Sequence, residues 1–146
     1  MRLLLCLAIL KKRETQKFGA HHFLNSRDPN ALKSYTNTFN MILDTANVNL
    51  DWDTYISTLR PGGKLHIVGA APQVKASVFP LIAGEKSIGG SPIGGPAEIL
   101  MMLDFCNRHA IEPIIEEFPL SRVNEALAHL ESGKARYRIV LHNDFK

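Results

Sequence analysis

Apolar and polar positions along the chain alternate between two periods, and each change of period marks an element. Leu3 to Leu10 is an unbroken apolar run, the pattern of a fully buried strand. Lys11 to Phe18 is polar and helix-permissive, with Gly19 placed to close it in a left-handed conformation. His21 to Asn25 and Phe39 to Leu43 read as short strands. Between them, Asp28-Pro29 is expected to open a short helix reaching Tyr35. Trp52, Tyr55, Ile56 and Leu59 fall at i, i+3, i+4 and i+7 behind a capping Asp51, one face of a helix. Pro61-Gly62-Gly63 is expected to stop it, ahead of a strand from Lys64 to Val68. A strand at Lys86 to Gly89 follows, then a helix opened by Gly95-Pro96 with Ile99, Met102, Leu103 and Cys106 on one stripe. A last helix carries Val123, Ala126, Leu127 and Leu130, capped near Ser121 and closed by Gly133. Tyr137 to Leu141 ends the pattern as a strand.

Strands alternating with helices of this length predict an α/β fold whose parallel sheet is covered on both faces, a partial doubly wound arrangement. The 146 residues fit one domain, and no internal repeat or linker interrupts them. The run from Leu3 to Leu10 is flanked by Arg2 and by Lys11-Lys12-Arg13, which raises export or anchoring as a reading. It is far short of the ~20 residues that span a bilayer and ends in basic residues rather than a cleavage site, so the strand is preferred.

Charge narrows the partners. Seventeen basic and fourteen acidic residues give a net charge of +3, with no basic block longer than Lys11-Lys12-Arg13. Nucleic-acid binders concentrate basic residues on one face, so neither nucleic acid nor a membrane is an expected partner. Cys6 and Cys106 make no disulfide framework and no four-ligand zinc site, which points to a reducing, cytoplasmic setting.

In open parallel sheets, ligands bind beyond the carboxyl ends of the strands. Those ends are Asp44-Thr45-Ala46, Val68-Gly69-Ala70 and Gly90-Ser91-Pro92-Ile93. Glycine there would let a ligand approach the backbone, and five of the ten glycines lie between Gly84 and Gly95. No G-x-G-x-x-G phosphate loop is present. Gly89-Gly90-Ser91-Pro92-Ile93 fails the G-x-S-x-G nucleophile elbow at its last position, so Ser91 is a poor candidate nucleophile. None of the six histidines stands in H-E-x-x-H spacing, and each reads as a surface or half-buried side chain. Residue pattern alone stops at an α/β domain able to bind a nucleotide.

An ordered set of short motifs goes further. Phe18-Gly19-Ala20, Asn25-Ser26-Arg27-Asp28, Asp44-Thr45, Leu59-Arg60-Pro61-Gly62-Gly63-Lys64-Leu65 and Val68-Gly69-Ala70 occur in that order. Gly90-Ser91-x-Ile93-Gly94, Met102-Leu103-Asp104-Phe105-Cys106, Val123-Asn124-Glu125-Ala126 and Gly133-Lys134-Ala135-Arg136-Tyr137-Arg138-Ile139-Val140 complete it. From about Lys11 to Phe145 the chain resembles the C-terminal part of zinc-dependent medium-chain alcohol dehydrogenases. The cinnamyl alcohol dehydrogenase branch and its bacterial NADPH-dependent aldehyde reductases fit best.

That resemblance implies hydride transfer between NADP(H) and an alcohol or aldehyde, with a catalytic zinc polarising the substrate oxygen. In the family the zinc ligands lie in an N-terminal substrate domain, and a glycine fingerprint opens the coenzyme domain. The chain is therefore expected to be an incomplete, Rossmann-like C-terminal coenzyme-binding domain (1–146) lacking the first strand and the glycine loop. Its last helix and strand, about 121–146, would return toward the substrate domain. By the same carry-over, Lys11 would pair with the adenosine 2′-phosphate, while Thr45, Val68 and Gly69 would border the ribose and nicotinamide. Ser91 and Ile93 would offer backbone groups to the carboxamide, and Arg138 would approach the pyrophosphate. No catalytic or metal-ligating residue is assigned to this chain, which is expected to be inactive alone. Zinc is expected only in the N-terminal part. The strand near Ile88 to Ser91 would pair with its twin across a homodimer. The alternative reading is a non-catalytic remnant that dimerises or binds a nucleotide weakly.

Overall fold

The computed structural model describes residues 4–6, 12–25, 28 and 30–145. They fall into two compact units, Met1–Ile93 and Gly94–Lys146.

In the first unit, β1 (Leu4–Cys6) and β2 (His22–Leu24) form a parallel pair connected through α1 (Lys12–Lys17). Gly19 closes α1 at φ 83°, the left-handed conformation expected of it. The remainder of the apolar run, Leu7 to Leu10, lies outside the described residues. Asp28 does not open a regular helix. Its Oδ1 accepts the N–H of Asn30 at 2.9 Å, a local turn, and only a 3₁₀ turn over Leu32–Tyr35 follows.

A three-stranded parallel sheet carries the core: β3 (Phe39–Asp44), β4 (Leu59–Ile67) and β5 (Ser87–Gly90), in the spatial order β3-β4-β5. The connections contain α2 (Trp52–Thr58) and α3 (Val78–Ala83). Asp51 caps α2 as its position predicts: Oδ1 accepts the Thr54 N–H and Oδ2 the Thr54 hydroxyl. Trp52 and Ile56 bury the inner face of α2 against Leu59 and Leu65, with Ile42 and Ile67 packed beside them.

Two expectations about this region fail for one reason. Leu59 is not the last residue of the α2 face, and Pro61-Gly62-Gly63 does not stop a helix. Leu59 turns extended immediately after Thr58 and pairs with Phe39, so β4 already contains the Pro-Gly-Gly segment. Residues 59 to 64 of β4 span residues 39 to 41 of β3, a bulge that absorbs the proline, whose missing N–H the ladder does not need there. Gly62 takes φ 73° in this excursion and donates its N–H to Gly84 O at 2.8 Å.

Helix α3 has no polar stripe in its Val-Phe-Pro-Leu-Ile-Ala sequence and so gives no periodic signal. Asp53 organises its start, since Oδ1 accepts the Ser77 N–H at 2.7 Å and Oδ2 the Ser77 hydroxyl at 2.8 Å. At the other end of α2, the Lys86 ammonium donates to Ile56 O at 2.9 Å, a cation at the negative pole of a helix.

The second unit contains α4 (Pro96–Arg108), β6 (Ile115–Pro119), α5 (Val123–Glu131) and β7 (Arg138–His142), with β6 and β7 paired in parallel. Glu98 reaches back to the Gly95 N–H at 2.6 Å and closes the start of α4. Ser121 does not cap α5. Its N–H and hydroxyl both go to the Asp144 carboxylate, at 3.0 and 2.6 Å, pinning the segment after β7 to the start of the helix. Glu116 accepts the Arg136 N–H at 2.6 Å and lies 2.6 Å from His129 Nε2, so α5 and the turn before β7 are held to β6. Among the described residues, no helix is long and apolar enough to cross a membrane.

Two outcomes follow. Ile56 is fully buried, so Ile56→Ala should cost about 2–5 kcal/mol and Ile56→Val about 0.5–1.5 kcal/mol in denaturant unfolding. The Ser77 N–H, and secondarily its hydroxyl, hold the Asp53 carboxyl below the ordinary aspartate range. A lowered carboxyl stabilises the fold above its unfolded pKa and loses that contribution as pH falls through the folded value. Asp53→Asn should therefore melt lower than the wild type at neutral pH, with the gap narrowing below about pH 4.

Candidate functional site

Parallel pairing brings the three strand ends to one edge. Asp44, Ile67 and Gly90 form a single cross-strand row, and the chain leaves each of them on the same side of the sheet. The next residues are those singled out in the sequence: Thr45 after β3, Val68 and Gly69 after β4, and Ser91 and Ile93 after β5. Thr45, Val68, Ser91 and Ile93 are exposed, Ile93 to 89%, and Gly69 is half-buried.

The backbone donors along this edge are largely committed. Asp44 O accepts both Val68 N–H and Gly69 N–H, at 2.9 and 3.1 Å, while Asp44 Oδ1 accepts Ala46 N–H at 3.0 Å. Asn47 Oδ1 takes Ala70 N–H at 2.7 Å. Ser91 N–H goes to Ile67 O at 3.3 Å, and Pro92 has no N–H to give. A phosphate needs several converging N–H groups, so these loops do not form a phosphate cradle. What they present instead is the Thr45 hydroxyl, the Ser91 carbonyl and the Ile93 N–H.

The small size of Gly69 is required by the fold itself. A Cβ there would lie 2.2 Å from Ala46 O and 2.7 Å from the Thr45 carbonyl carbon, so the space is already filled by the protein's own backbone. Its small size lets the loops after β3 and β4 cross in contact. Gly89 is open by comparison, with only His66 Nδ1 near, at 3.8 Å from a Cβ position.

Sequence reasoning put Asp44 at the end of its strand but gave its side chain no part in the edge, and it missed Asn47 and His66 altogether. Asp44 is 6% exposed, and its Oδ2 is buried without a hydrogen-bond partner among the described residues. An aspartate directly after the apolar run Met41-Ile42-Leu43 was the available signal. His66 Nε2 lies 2.9 Å from Ser91 Oγ. That supplies the base a serine nucleophile would need, yet the residue after it, whose N–H would stabilise an oxyanion, is Pro92, which has no N–H. The pair is a hydrogen bond between strand ends rather than a hydrolytic dyad.

Two further sequence candidates stand apart. Lys11 lies outside the described residues. Arg138 is at the start of β7 in the second unit, exposed and opposite Ile115 in the ladder. Among the described residues, no group of three or more His, Cys, Asp or Glu side chains converges to hold a metal ion. The donor set described here does not fit a zinc site.

An open parallel sheet with helical connections is the doubly wound class of α/β domain, in which ligands bind beyond the carboxyl ends of the strands. Within that class, the chain belongs to the zinc-binding dehydrogenase family, whose pattern matches residues 9–108. It is 48% identical over 132 residues to the aldehyde reductase AdhA of Synechocystis sp., covering 90% of this chain and 39% of that protein. Among solved structures it resembles a cinnamyl alcohol dehydrogenase of Sorghum bicolor, with TM-score 0.84 and 29% identity over 97% of this chain and 41% of that one. It also resembles the CAD of Helicobacter pylori solved in complex with NADP(H), with TM-score 0.73 and 28% identity over 96% and 40%. The fold is accordingly the Rossmann-like C-terminal domain of medium-chain dehydrogenases. The chain spans about two fifths of the length of these relatives.

The crossing at Gly69 gives a direct check. Gly69→Ala should lower the melting temperature markedly, because backbone and not a flexible side chain stands in the way. Gly89→Ala, at ordinary van der Waals distance, should leave it within a degree or two of the wild type on the scale of a small stability change.

Proposed function

We propose that this chain carries the nicotinamide-side coenzyme surface of an NADP(H)-dependent alcohol dehydrogenase or aldehyde reductase. The reaction served is hydride transfer between the nicotinamide and an alcohol or aldehyde. The observation that carries the reading is the row Asp44-Ile67-Gly90, which sets an exposed hydroxyl beyond β3 and a carbonyl and an N–H beyond β5, on either side of the end of β4. A nicotinamide carboxamide needs one acceptor for its NH₂ and one donor for its oxygen, and the Ser91 carbonyl and Ile93 N–H supply that pair. Thr45 and the Val68-Gly69 turn border the place of the attached ribose. Arg138 is assigned to the pyrophosphate and Lys11 to the adenosine 2′-phosphate, a cation matched to the extra charge of the phosphorylated coenzyme.

The similarity to an aldehyde reductase supports the reaction class, and the NADP(H) bound to the Helicobacter pylori relative supports the coenzyme. Zinc chemistry is assigned to a region other than the described residues, whose donor set does not fit the metal. The chain alone is therefore read as binding coenzyme without reducing aldehydes. A free thiol at Cys106 suits a reducing compartment, and we assign the cytoplasm. A second reading, self-association, is favoured by β5, which pairs only with β4 among the described residues and leaves its outer edge open.

Titration of the purified chain with NADPH, followed by coenzyme fluorescence, should show saturable binding at least about tenfold tighter than with NADH. Lys11→Ala should narrow that gap, since a hydrogen bond to a charged group contributes about 1.5–3 kcal/mol. No aldehyde-dependent loss of NADPH absorbance is expected from the chain alone. Sedimentation of the same sample should report a dimer if the β5 edge is occupied by a second copy. Equal binding of the two coenzymes would remove the 2′-phosphate assignment, and turnover by the chain alone would remove its reading as non-catalytic.

A further inference from the structure

We propose that His66 is a positioning residue for the coenzyme edge, acting through Ser91 to hold the peptide that presents the Ser91 carbonyl. The inference rests on the coenzyme reading above and adds a residue to which that reading gives no role.

Ser91 is gripped from two neighbouring positions of β4. Its N–H bonds to Ile67 O at 3.3 Å, and its Oγ lies 2.9 Å from Nε2 of His66, the residue before. The two contacts leave different parts of Ser91 fixed: the ladder bond sets the backbone entering the residue, and the imidazole selects one side-chain rotamer. Pro92 sets the rest, because it locks its own φ and restricts Ser91 to an extended conformation. The carbonyl of Ser91 is then the group in this peptide left to face a ligand.

The hydroxyl matters because a serine in a loop is a competitor. Free to rotate, it can hydrogen-bond to nearby backbone groups and cover the acceptor a ligand needs. Held at His66 Nε2, it is kept away from its own edge. The fold makes room for the imidazole. His66 stands between Leu43 on β3 and Gly89 on β5 in the ladder, and a Gly89 Cβ would still be 3.8 Å from the other ring nitrogen. The ring therefore sits between a leucine and an open glycine, free to turn toward the serine.

Binding of two ligands to the full chain separates positioning from a general loss of structure. NADPH carries the nicotinamide, and 2′-phospho-ADP-ribose is the same molecule without it. His66→Leu, which keeps the bulk and removes the hydrogen bond, and Ser91→Ala should each weaken NADPH binding about tenfold and leave 2′-phospho-ADP-ribose unchanged. The double variant should be no worse than either single one, because both remove the same contact. His66→Gln, whose amide reaches the Nε2 position, should restore NADPH affinity to within about twofold. If His66→Leu does not fold, as a thermal melt would show, Ser91→Ala and His66→Gln still carry the comparison. Wild-type NADPH affinity in Ser91→Ala, or equal weakening of both ligands, would overturn the role given to His66 while leaving the coenzyme reading standing. A wild-type chain that binds neither ligand would overturn both.

Discussion

The main-chain carbonyl of Asp44 accepts two N–H groups, from Val68 and Gly69, and the architecture of the candidate site depends on that fork. It ties the end of β3 to the chain leaving β4 at the point where both would otherwise become loop. The side chain of the same residue holds Ala46, and Asn47 holds Ala70, so the two loops are stitched at successive positions. The crossing is tight enough to exclude a side chain at Gly69. Removing a tie made by the buried Asp44 leaves a polar group to find another partner away from water, which is costly, whereas the Asn47–Ala70 bond is exposed.

This stitching decides what the edge can recognise. Donors spent on holding loops together are not available to a ligand's phosphates, so the strand ends of β3 to β5 are rich in acceptors and hydroxyls. Such a surface suits ribose hydroxyls and an amide better than a pyrophosphate. On the proposed coenzyme reading the phosphates are left to Lys11 and Arg138, elsewhere in the sequence. Division of labour along an extended ligand is what a dinucleotide demands, because its charged middle and its neutral nicotinamide end need opposite kinds of protein group.

Local chemistry was the legible part of the fold. Asp51 with the Trp52, Tyr55, Ile56 spacing located α2, Gly19 and Gly133 located two helix ends, and Gly95-Pro96 located the start of α4. Elements whose cause is tertiary were not legible. Leu59 continues the helical spacing of α2, yet it starts β4 because Phe39 is waiting to pair with it. Helix α3 is apolar on every side, and β6 carries two consecutive glutamates, so neither shows a clean period. The site divides in the same way. Thr45, Val68, Gly69, Ser91 and Ile93 could be placed because they follow strands and because their order resembles a known family. His66 and Ser91 are 25 residues apart, and Asn47 and Ala70 are 23 apart, so only the register of the sheet could reveal their contacts.

The central claim is that coenzyme lies against the ends of β3, β4 and β5, with its nicotinamide toward Ser91 and Ile93. The most direct measurement is an NMR titration of the isotopically labelled chain with NADPH, followed residue by residue through the backbone amides. The account predicts the largest shifts at Thr45, Val68, Gly69, Ser91 and Ile93, with the Ile93 amide moving downfield as it gains a hydrogen bond. The shifts at Ser91 and Ile93 should be missing when the ligand lacks nicotinamide. Saturable binding whose shifts cluster away from these strand ends would contradict it.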